Sequence, residues 1–295
     1  MSAWGQSLRI AAAGRIAVAP GAPLASRVLA HAPPRRAEQM ARMDRLCGLA
    51  LLASDRCLLP SEPATPAPVH VGQDGAAILC GSVHGCLGTD TEFFHGVQTG
   101  QASPRLFAYT LHSSPVGEVS IHHGLRGAGI AIVGSITAGL EALAEAGTLI
   151  ASGAAPCALV LSTDVAFAAA EGSGAARDLA VALWVVAEED EAQAGSSVAA
   201  GQSGVRIVAV TTAFAAGQPQ RAIGRALAAL RRGPAGAVAH NVPLTMAAVP
   251  PLWLLAQLVD PKNRRALLRG AAQGRLLIAA QDPTGRAAVV LAECV

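Results

Sequence analysis

The residues best placed to do chemistry lie in a tight turn near the middle of the chain. Residues 130–133 form a short, largely β-branched run bounded by glycines, and small and apolar side chains recur at helical spacing from Thr137. Such a turn places its central side chain at a helix N-terminus, where the helix dipole and free N–H groups stabilise negative charge. An enzyme would carry its nucleophile here, and this chain offers Ser135, Ile136 and Thr137.

The stretch around this turn resembles the β-ketoacyl synthases of the thiolase-like fold. Without a gap, the family's motif positions fall on Ser120, Gly124, Leu125, Gly127, Leu140, Ala142 and Leu143. The family's nucleophilic cysteine falls on Ile136, whose hydrocarbon side chain can neither form a thiolate nor carry an acyl group. The resemblance therefore implies a member without a catalytic residue at this position.

The resemblance also implies an α/β fold, layered α-β-α-β-α, with an abbreviated second half. The specific motifs are confined to residues 103–164, but the pattern covers most of the chain. We predict a ketosynthase-like first half over residues 1–200 and a shortened second half over residues 201–295. The boundary is placed in the polar, Gly/Ser-rich stretch 188–200.

The second half of a ketosynthase supplies two histidines that bind the carbonyl group. His240 is the sole histidine in this half of the chain, and it is the candidate for either family histidine. The family motifs that surround those histidines are missing. The phenylalanine whose backbone helps to form the family's oxyanion hole is not recognisable in the closing hairpin, residues 275–291.

The segment 103–115 resembles the ketosynthase stretch that lies near the twofold axis between subunits. It carries Phe107 and Tyr109, which we expect to line an acyl pocket or an interface together with Ser135, Ile136 and Thr137. An ordinary buried loop is the alternative interpretation.

Composition excludes several classes of function. The chain has 295 residues, a net charge of +2, 52% hydrophobic and 3% aromatic residues, so we expect neither nucleic acid nor an anionic membrane as partner. Its six cysteines form no Cys-x-x-Cys pair, and His84 and His95 have no third ligand at metal spacing. We therefore expect no metal, no cofactor and a reducing, cytoplasmic location. No apolar run approaches the roughly 20 residues of a membrane span.

Local patterns predict the elements around the turn. We expect strands at residues 8–18, 69–79, 157–164 and 179–187, one continuous helix at 37–58 and another at 90–98. His122 and His123 are adjacent, so they cannot both face one site.

Three functions are compatible with these patterns. The first is a non-catalytic subunit of the chain length factor type, which pairs with an active ketosynthase, and through it meets an acyl carrier protein, in polyketide, aryl-polyene or fatty-acid-like biosynthesis. The second is an acyltransferase or condensing enzyme that uses Ser135, Cys157 or a histidine instead. The third is a structural homo-oligomer.

The first function carries structural expectations. Residues 130–133 should be a buried strand whose edge pairs with a second subunit, in an obligate dimer that buries upwards of about 2,000 Å². Ile136 should be buried. Gly134 and Gly139 should flank a sharp junction, so that Gly139→Leu weakens assembly with the partner.

Overall fold

The computed structural model describes residues 7–30, 32–59, 74–166, 177–188, 205–231, 251–260, 263–264, 267 and 275–294. The strands are β1 (Leu8–Val18), β2 (Ala77–Ser82), β3 (Gly129–Val133), β4 (Cys157–Asp164), β5 (Asp178–Ala187), β6 (Val205–Phe214), β7 (Arg275–Gln281) and β8 (Arg286–Cys294). The helices are α1 (Arg36–Arg42), α2 (Arg45–Leu58), α3 (Leu87–Gln98), α4 (Pro104–Phe107), α5 (Ser114–His123), α6 (Ala138–Ala151), α7 (Pro219–Arg231) and α8 (Pro251–Val259).

The strands form one eight-stranded sheet in the order β3-β2-β4-β5-β1-β6-β8-β7. β2 runs parallel to both β3 and β4, and the other neighbours are antiparallel. β1 pairs with β5 along its length but with β6 only at Leu8, Arg9 and Ile10. Because β2 and β3 are parallel neighbours, the turns that follow them lie side by side at one rim of the sheet.

Helices cover the sheet in three layers. α2 packs on β1 and β5, α7 packs on β6 and β8, and α6 and α8 contact strands of both halves. Side chains alternate accordingly along β8: residues 288, 290 and 292 join the central core with α8, whereas 287, 289 and 291 join the outer core with α7. This arrangement confirms the predicted α-β-α-β-α layering. Among the described residues, the second half supplies three of the eight strands, as an abbreviated half requires.

A buried polar cluster fastens α1 and α5 to α2. The Arg36 guanidinium lies 3.1 Å from the Asp55 carboxylate, and Nε2 of His123 lies 3.0 Å from the Ser54 hydroxyl. Burial raises the pKa of Asp55 to about 6 and lowers the pKa of His123 to about 4. His122 instead lies beside Glu118 at the helix surface, so the two histidines do diverge.

Several predicted elements are confirmed and one is wrong. β1 and β4 have the predicted bounds, and β5 and α3 begin one and three residues earlier than predicted. The helix predicted at 37–58 is broken, because the Asp44 carboxylate accepts the N–H groups of Leu46 and Cys47 and so starts α2 as a new helix. The strand predicted at 69–79 begins at Ala77, and residues 69–73 lie outside the described residues.

The strand predicted at 130–133 is present, but the expectation that it is buried is not met within the single chain. As predicted, β3 lies at a sheet edge: among the described residues it pairs with β2 alone, and its residues after Gly129 are half-buried. Most of the predicted boundary at 188–200 lies outside the described residues, and the division at residue 200 remains a prediction. In the described part of the chain, no helix combines the length and apolar character needed to cross a bilayer.

Candidate functional site

The turn between β3 and α6 has the tight strand-to-helix geometry that the sequence predicts. Gly134 has φ +112°, a conformation that residues with a Cβ rarely adopt. The N–H of Gly134 donates to the carbonyl of Ser82, which ties the turn to the end of β2, and the N–H of Ala138 donates to the carbonyl of Ser135. Hydrogen bonds therefore hold the turn at its start, next to β2, and at its end, where α6 begins.

Ser135 is buried and is held by a residue from the second half of the chain. Its hydroxyl donates to Oδ2 of Asp282 at 2.5 Å and accepts the N–H of Thr137 at 3.1 Å. Burial opposes the ionisation of Asp282, but hydrogen bonds from Ser135, Thr284 and the Arg286 N–H hold its pKa below the ordinary value. The Ser135 hydroxyl thus binds a poor base rather than an imidazole.

The two neighbours of Ser135 differ in exposure. The Thr137 hydroxyl is buried and donates to Oε1 of Glu141 at 2.5 Å. Ile136 is half-buried, so the expectation of a buried side chain is wrong for the single chain. A Cβ on Gly139 would lie 3.2 Å from Ser162 Oγ and 3.3 Å from Leu252, so Gly139 packs within its own chain.

Phe107 and Tyr109 contact other elements than this turn. Phe107 is 61% exposed, and its ring lies 5.3 Å from that of Phe93 on α3. Tyr109 is half-buried, and burial together with Glu118 of α5 raises its pKa to about 12. The proposed grouping of Phe107 and Tyr109 with residues 135–137 is therefore not reproduced by contacts within one chain, and it remains a prediction.

A groove that the sequence does not predict runs beside the turn. Its volume is about 720 Å³, and it lies between α6 and the ends of β6 and β8. Glu141, Glu145, Phe214 and Arg286 contribute to its walls. These residues come together only in the folded chain, so spacing in the sequence carries no signal for the groove.

The comparison with protein families decides the relationship. The family model of the β-ketoacyl synthase N-terminal domain matches residues 7–181. The chain belongs to the β-ketoacyl synthase family. The match spans the β3–α6 turn, and the placement of the family's nucleophile at Ile136 remains a prediction.

Solved structures of ketosynthases share the fold. The ishigamide ketosynthase/chain length factor is similar over 98% of this chain and 99% of its own, with 20% identity and a TM-score of 0.67. A type II polyketide acyl-carrier protein in complex with its ketosynthase bound to the hexaketide gives 10% identity over 98% and 100%, with a TM-score of 0.60. A ketosynthase in complex with its chain length factor from Xenorhabdus doucetiae gives 15% identity over 97% and 99%, with a TM-score of 0.53. A search of curated protein sequences gave no match.

This β-ketoacyl synthase homologue does contain a thiol–imidazole pair, but at the neighbouring turn. Sγ of Cys86 lies 3.0 Å from Nδ1 of His112, and Gly85 permits the approach because a Cβ there would lie 2.5 Å from that nitrogen. Burial and the Asp90 carboxylate raise the pKa of the Cys86 thiol to about 12. The thiol is protonated at neutral pH and is a weak nucleophile. Sequence reasoning missed the pair because its members are 26 residues apart.

The remaining predicted candidates do not join a site in the described residues. Cys157 is 1% exposed in the core beneath α2, and His240 lies outside the described residues. No group of three metal-ligating side chains is placed to hold a metal ion in the part of the chain that the structure describes. None of the six cysteines, all of which the structure describes, forms a disulfide, and five of them are buried.

Proposed function

We propose that this chain is a non-catalytic ketosynthase-like subunit of the chain length factor type. It pairs with an active β-ketoacyl-ACP synthase in polyketide, aryl-polyene or fatty-acid-like biosynthesis and helps to shape the pocket for the growing acyl chain. The observation that carries the proposal is Ile136 in the β3–α6 turn, where the resemblance to the family places the nucleophile. Its neighbours Ser135 and Thr137 are both engaged by carboxylates.

An active partner would supply the chemistry that this turn lacks. A ketosynthase reaction needs an acyl-accepting thiolate and stabilisation of the developing oxyanion. We therefore expect neither condensation nor decarboxylation by the isolated chain. Ile136→Cys alone should not restore the reaction, because a thiolate without histidine partners lacks most of that stabilisation.

The open edge of β3 supports pairing with a second subunit. Ile78 N–H donates to the Ala128 carbonyl and Gly134 N–H to the Ser82 carbonyl. Backbone alternation in the parallel ladder then turns the N–H of Ala131 outward, where the described residues provide no strand. An edge left open in this way is a template for pairing with another chain.

Exposed apolar side chains near this edge also support a large interface. Leu111 lies just before α5 and is 64% exposed, and Ile121 lies on α5 and is 78% exposed. An apolar patch that includes these side chains would be typical of a protein–protein contact. The solved ketosynthase–chain length factor and ketosynthase–carrier protein complexes supply the analogy for the partners. The carrier protein would meet the pair through the active ketosynthase, and the cytoplasm is the proposed location.

Two other functions are less well supported. An enzyme using Ser135 would need a base, but Ser135 donates to an aspartate whose pKa is lowered. Cys157 is buried in the core, where a substrate has no access. A structural homo-oligomer would use the same β3 edge, so the identity of the partner separates it from the main proposal.

Co-expression with a cysteine-bearing ketosynthase encoded nearby tests the proposal. We expect the tagged chain to copurify with it as a heterodimer. Ala131→Pro should abolish the heterodimer while leaving the β2 ladder intact, and Ala131→Val, which keeps the N–H, should still pair. A stable monomer at micromolar concentration in light scattering would contradict the proposal. A homodimer that ignores the ketosynthase would favour the structural alternative, and transfer of a radiolabelled acyl group to the isolated chain would favour an enzyme.

A further inference from the structure

The β3–α6 turn holds a negative charge of its own. α6 has 14 residues, and Thr137 at its N-cap makes no side-chain capping hydrogen bond. The free amides at the start of a helix of this length favour a nearby anion. Asp282, which lies 147 positions along the chain from Ser135, brings its carboxylate to this point.

A relay of hydrogen bonds connects the helix end to this carboxylate. The Thr137 N–H donates to Ser135 Oγ, and the Ser135 hydroxyl donates to Asp282 Oδ2. The Thr284 hydroxyl donates to Asp282 Oδ1 at 2.6 Å, and the Arg286 N–H donates to the same oxygen at 3.1 Å. Asp282 is 6% exposed. Four polar groups thus converge, directly or through Ser135, on one carboxylate.

We propose that Asp282 is an internal anion that occupies the electropositive end of α6 and keeps other anions out of the β3–α6 turn. The excluded anions include a thiolate at position 136 and the oxyanion that develops on an attacked thioester carbonyl. A second negative charge beside Asp282 is opposed by like-charge repulsion. The inference rests on the proposed function, because it takes the turn to do no covalent chemistry, and it adds a physical reason beyond the missing thiol.

The effects of the other charges around the turn can be separated by substitution. Glu141, on the first turn of α6, accepts from Thr137 and is the second carboxylate of the turn. Glu145 and Arg286 line the groove beside it. The side chain at 136 is half-buried, so a reagent in solution can reach a thiol placed there.

The test uses the full chain with Ile136→Cys and follows alkylation of the introduced thiol by iodoacetamide across pH, with peptide mapping by mass spectrometry. A helix N-terminus without Asp282 would lower the thiol pKa below about 8.5. With Asp282 in place we expect a thiol pKa at or above that value. Adding Asp282→Asn should lower the thiol pKa and speed alkylation at pH 7 by about threefold or more.

Three further variants locate the effect. Ile136→Cys with Ser135→Ala keeps the charge, so its thiol pKa should remain close to that of Ile136→Cys alone. Glu141→Gln in the Ile136→Cys background measures how much the Glu141 carboxylate contributes to the pKa of the introduced thiol. Glu92→Gln, on the exposed face of α3, is the matched control and should change nothing.

Two results would overturn the proposal. One is an unchanged pH profile after Asp282→Asn. The other is a thiol pKa well below about 8.5 in Ile136→Cys itself, a measurement that still decides the question if Asp282→Asn does not fold. Neither result bears on copurification with a ketosynthase, so failure of this inference is distinct from failure of the proposed function.

Discussion

Two neighbouring turns at the same rim of the sheet each have only part of what a nucleophilic site needs. The turn after β2 has the thiol and the imidazole, Cys86 and His112, but there the thiol is 2% exposed. The turn after β3 has a more accessible, half-buried central position, but there the residue is Ile136. A nucleophile needs both a reactive group and access, and neither turn offers both.

The aspartates that hold these turns differ in the same way. Asp164, from the same half of the chain, accepts the Ser82 hydroxyl and the Val83 N–H, and burial raises its pKa despite these bonds. Asp282, from the other half, has a lowered pKa. The carboxyl group that holds the β2 turn is therefore harder to ionise than an ordinary aspartate, and the one that holds the β3 turn is easier to ionise. Neighbouring turns at one rim of the sheet therefore need not stabilise the same charge state of the aspartate that holds them.

Gly81→Ala should have the largest effect on both turns. A Cβ at Gly81 would lie 2.5 Å from backbone atoms of Ala138 and Gly139, so β2 and α6 would have to separate. We expect a loss of about 3 kcal/mol in the free energy of unfolding, measured by urea denaturation. Gly88→Ala is the control, because nothing lies within 4 Å of its Cβ and a helical alanine should gain about 0.5 kcal/mol. Equal effects of the two changes would show that the close contact between β2 and α6 is wrong.

Asp282→Asn and Asp164→Asn should respond to pH in opposite directions. The lowered pKa of Asp282 means that its contribution to stability is present at neutral pH and is lost as pH falls through that pKa. Asp282→Asn should therefore cost about 2 kcal/mol at pH 7, and this cost should shrink as the pH falls through the lowered pKa of Asp282.

The raised pKa of Asp164 has the opposite sign, because its contribution is present at low pH and is lost as pH rises through the raised value. Relative to Asp164→Asn, the wild-type chain should gain stability on acidification. Urea denaturation at several pH values measures both slopes. Parallel slopes for the two variants would remove the contrast between the turns.

Cys86 should resist alkylation in the native chain. With a thiol pKa of about 12 and 2% exposure, we expect iodoacetamide at pH 7 to label Cys86 more than about tenfold more slowly than in the urea-unfolded chain. His112→Ala uncovers the sulfur without removing Asp90, so it should raise the rate only modestly. Rapid native labelling that depends on His112 would instead make the β2 turn a reactive site.

Phe107→Ala tests the proposed acyl pocket and should change the stability of the chain only slightly. Phe107→Ala should cost about 0.5 kcal/mol through the lost contact with Phe93. If Phe107 helps to shape the acyl pocket, the product made by the heterodimer should change in length while turnover continues. Phe94→Ala is the matched control, since both phenylalanines are 61% exposed. Unchanged product length from an intact complex would leave only a scaffolding role.

Local signals predicted much of the fold around the site. β4 and β1 follow from apolar runs ended by turn residues, and the β3–α6 turn follows from Gly134 and the helical spacing after it. The break in the predicted helix at 37–58 depends on the Asp44 cap, which periodicity does not register.

The electrostatics of the site could not be predicted from the sequence. The bond between Ser135 and Asp282 joins residues 147 positions apart, and the half-burial of Ile136 depends on which elements lie next to it in the fold. Both facts follow from strand order. Strand order is set by tertiary packing, which no local pattern in this chain encodes.

The pairing of β1 also bears on the order of events during synthesis. β1 lies inside the sheet, but its main partner, β5, ends 169 residues later at Ala187. At ordinary rates of translation, roughly 10 to 30 s pass between the synthesis of β1 and the synthesis of the last residues of β5. Only Leu8, Arg9 and Ile10 pair with β6, so the five strands of the first half can close into a sheet while the second half is still being made.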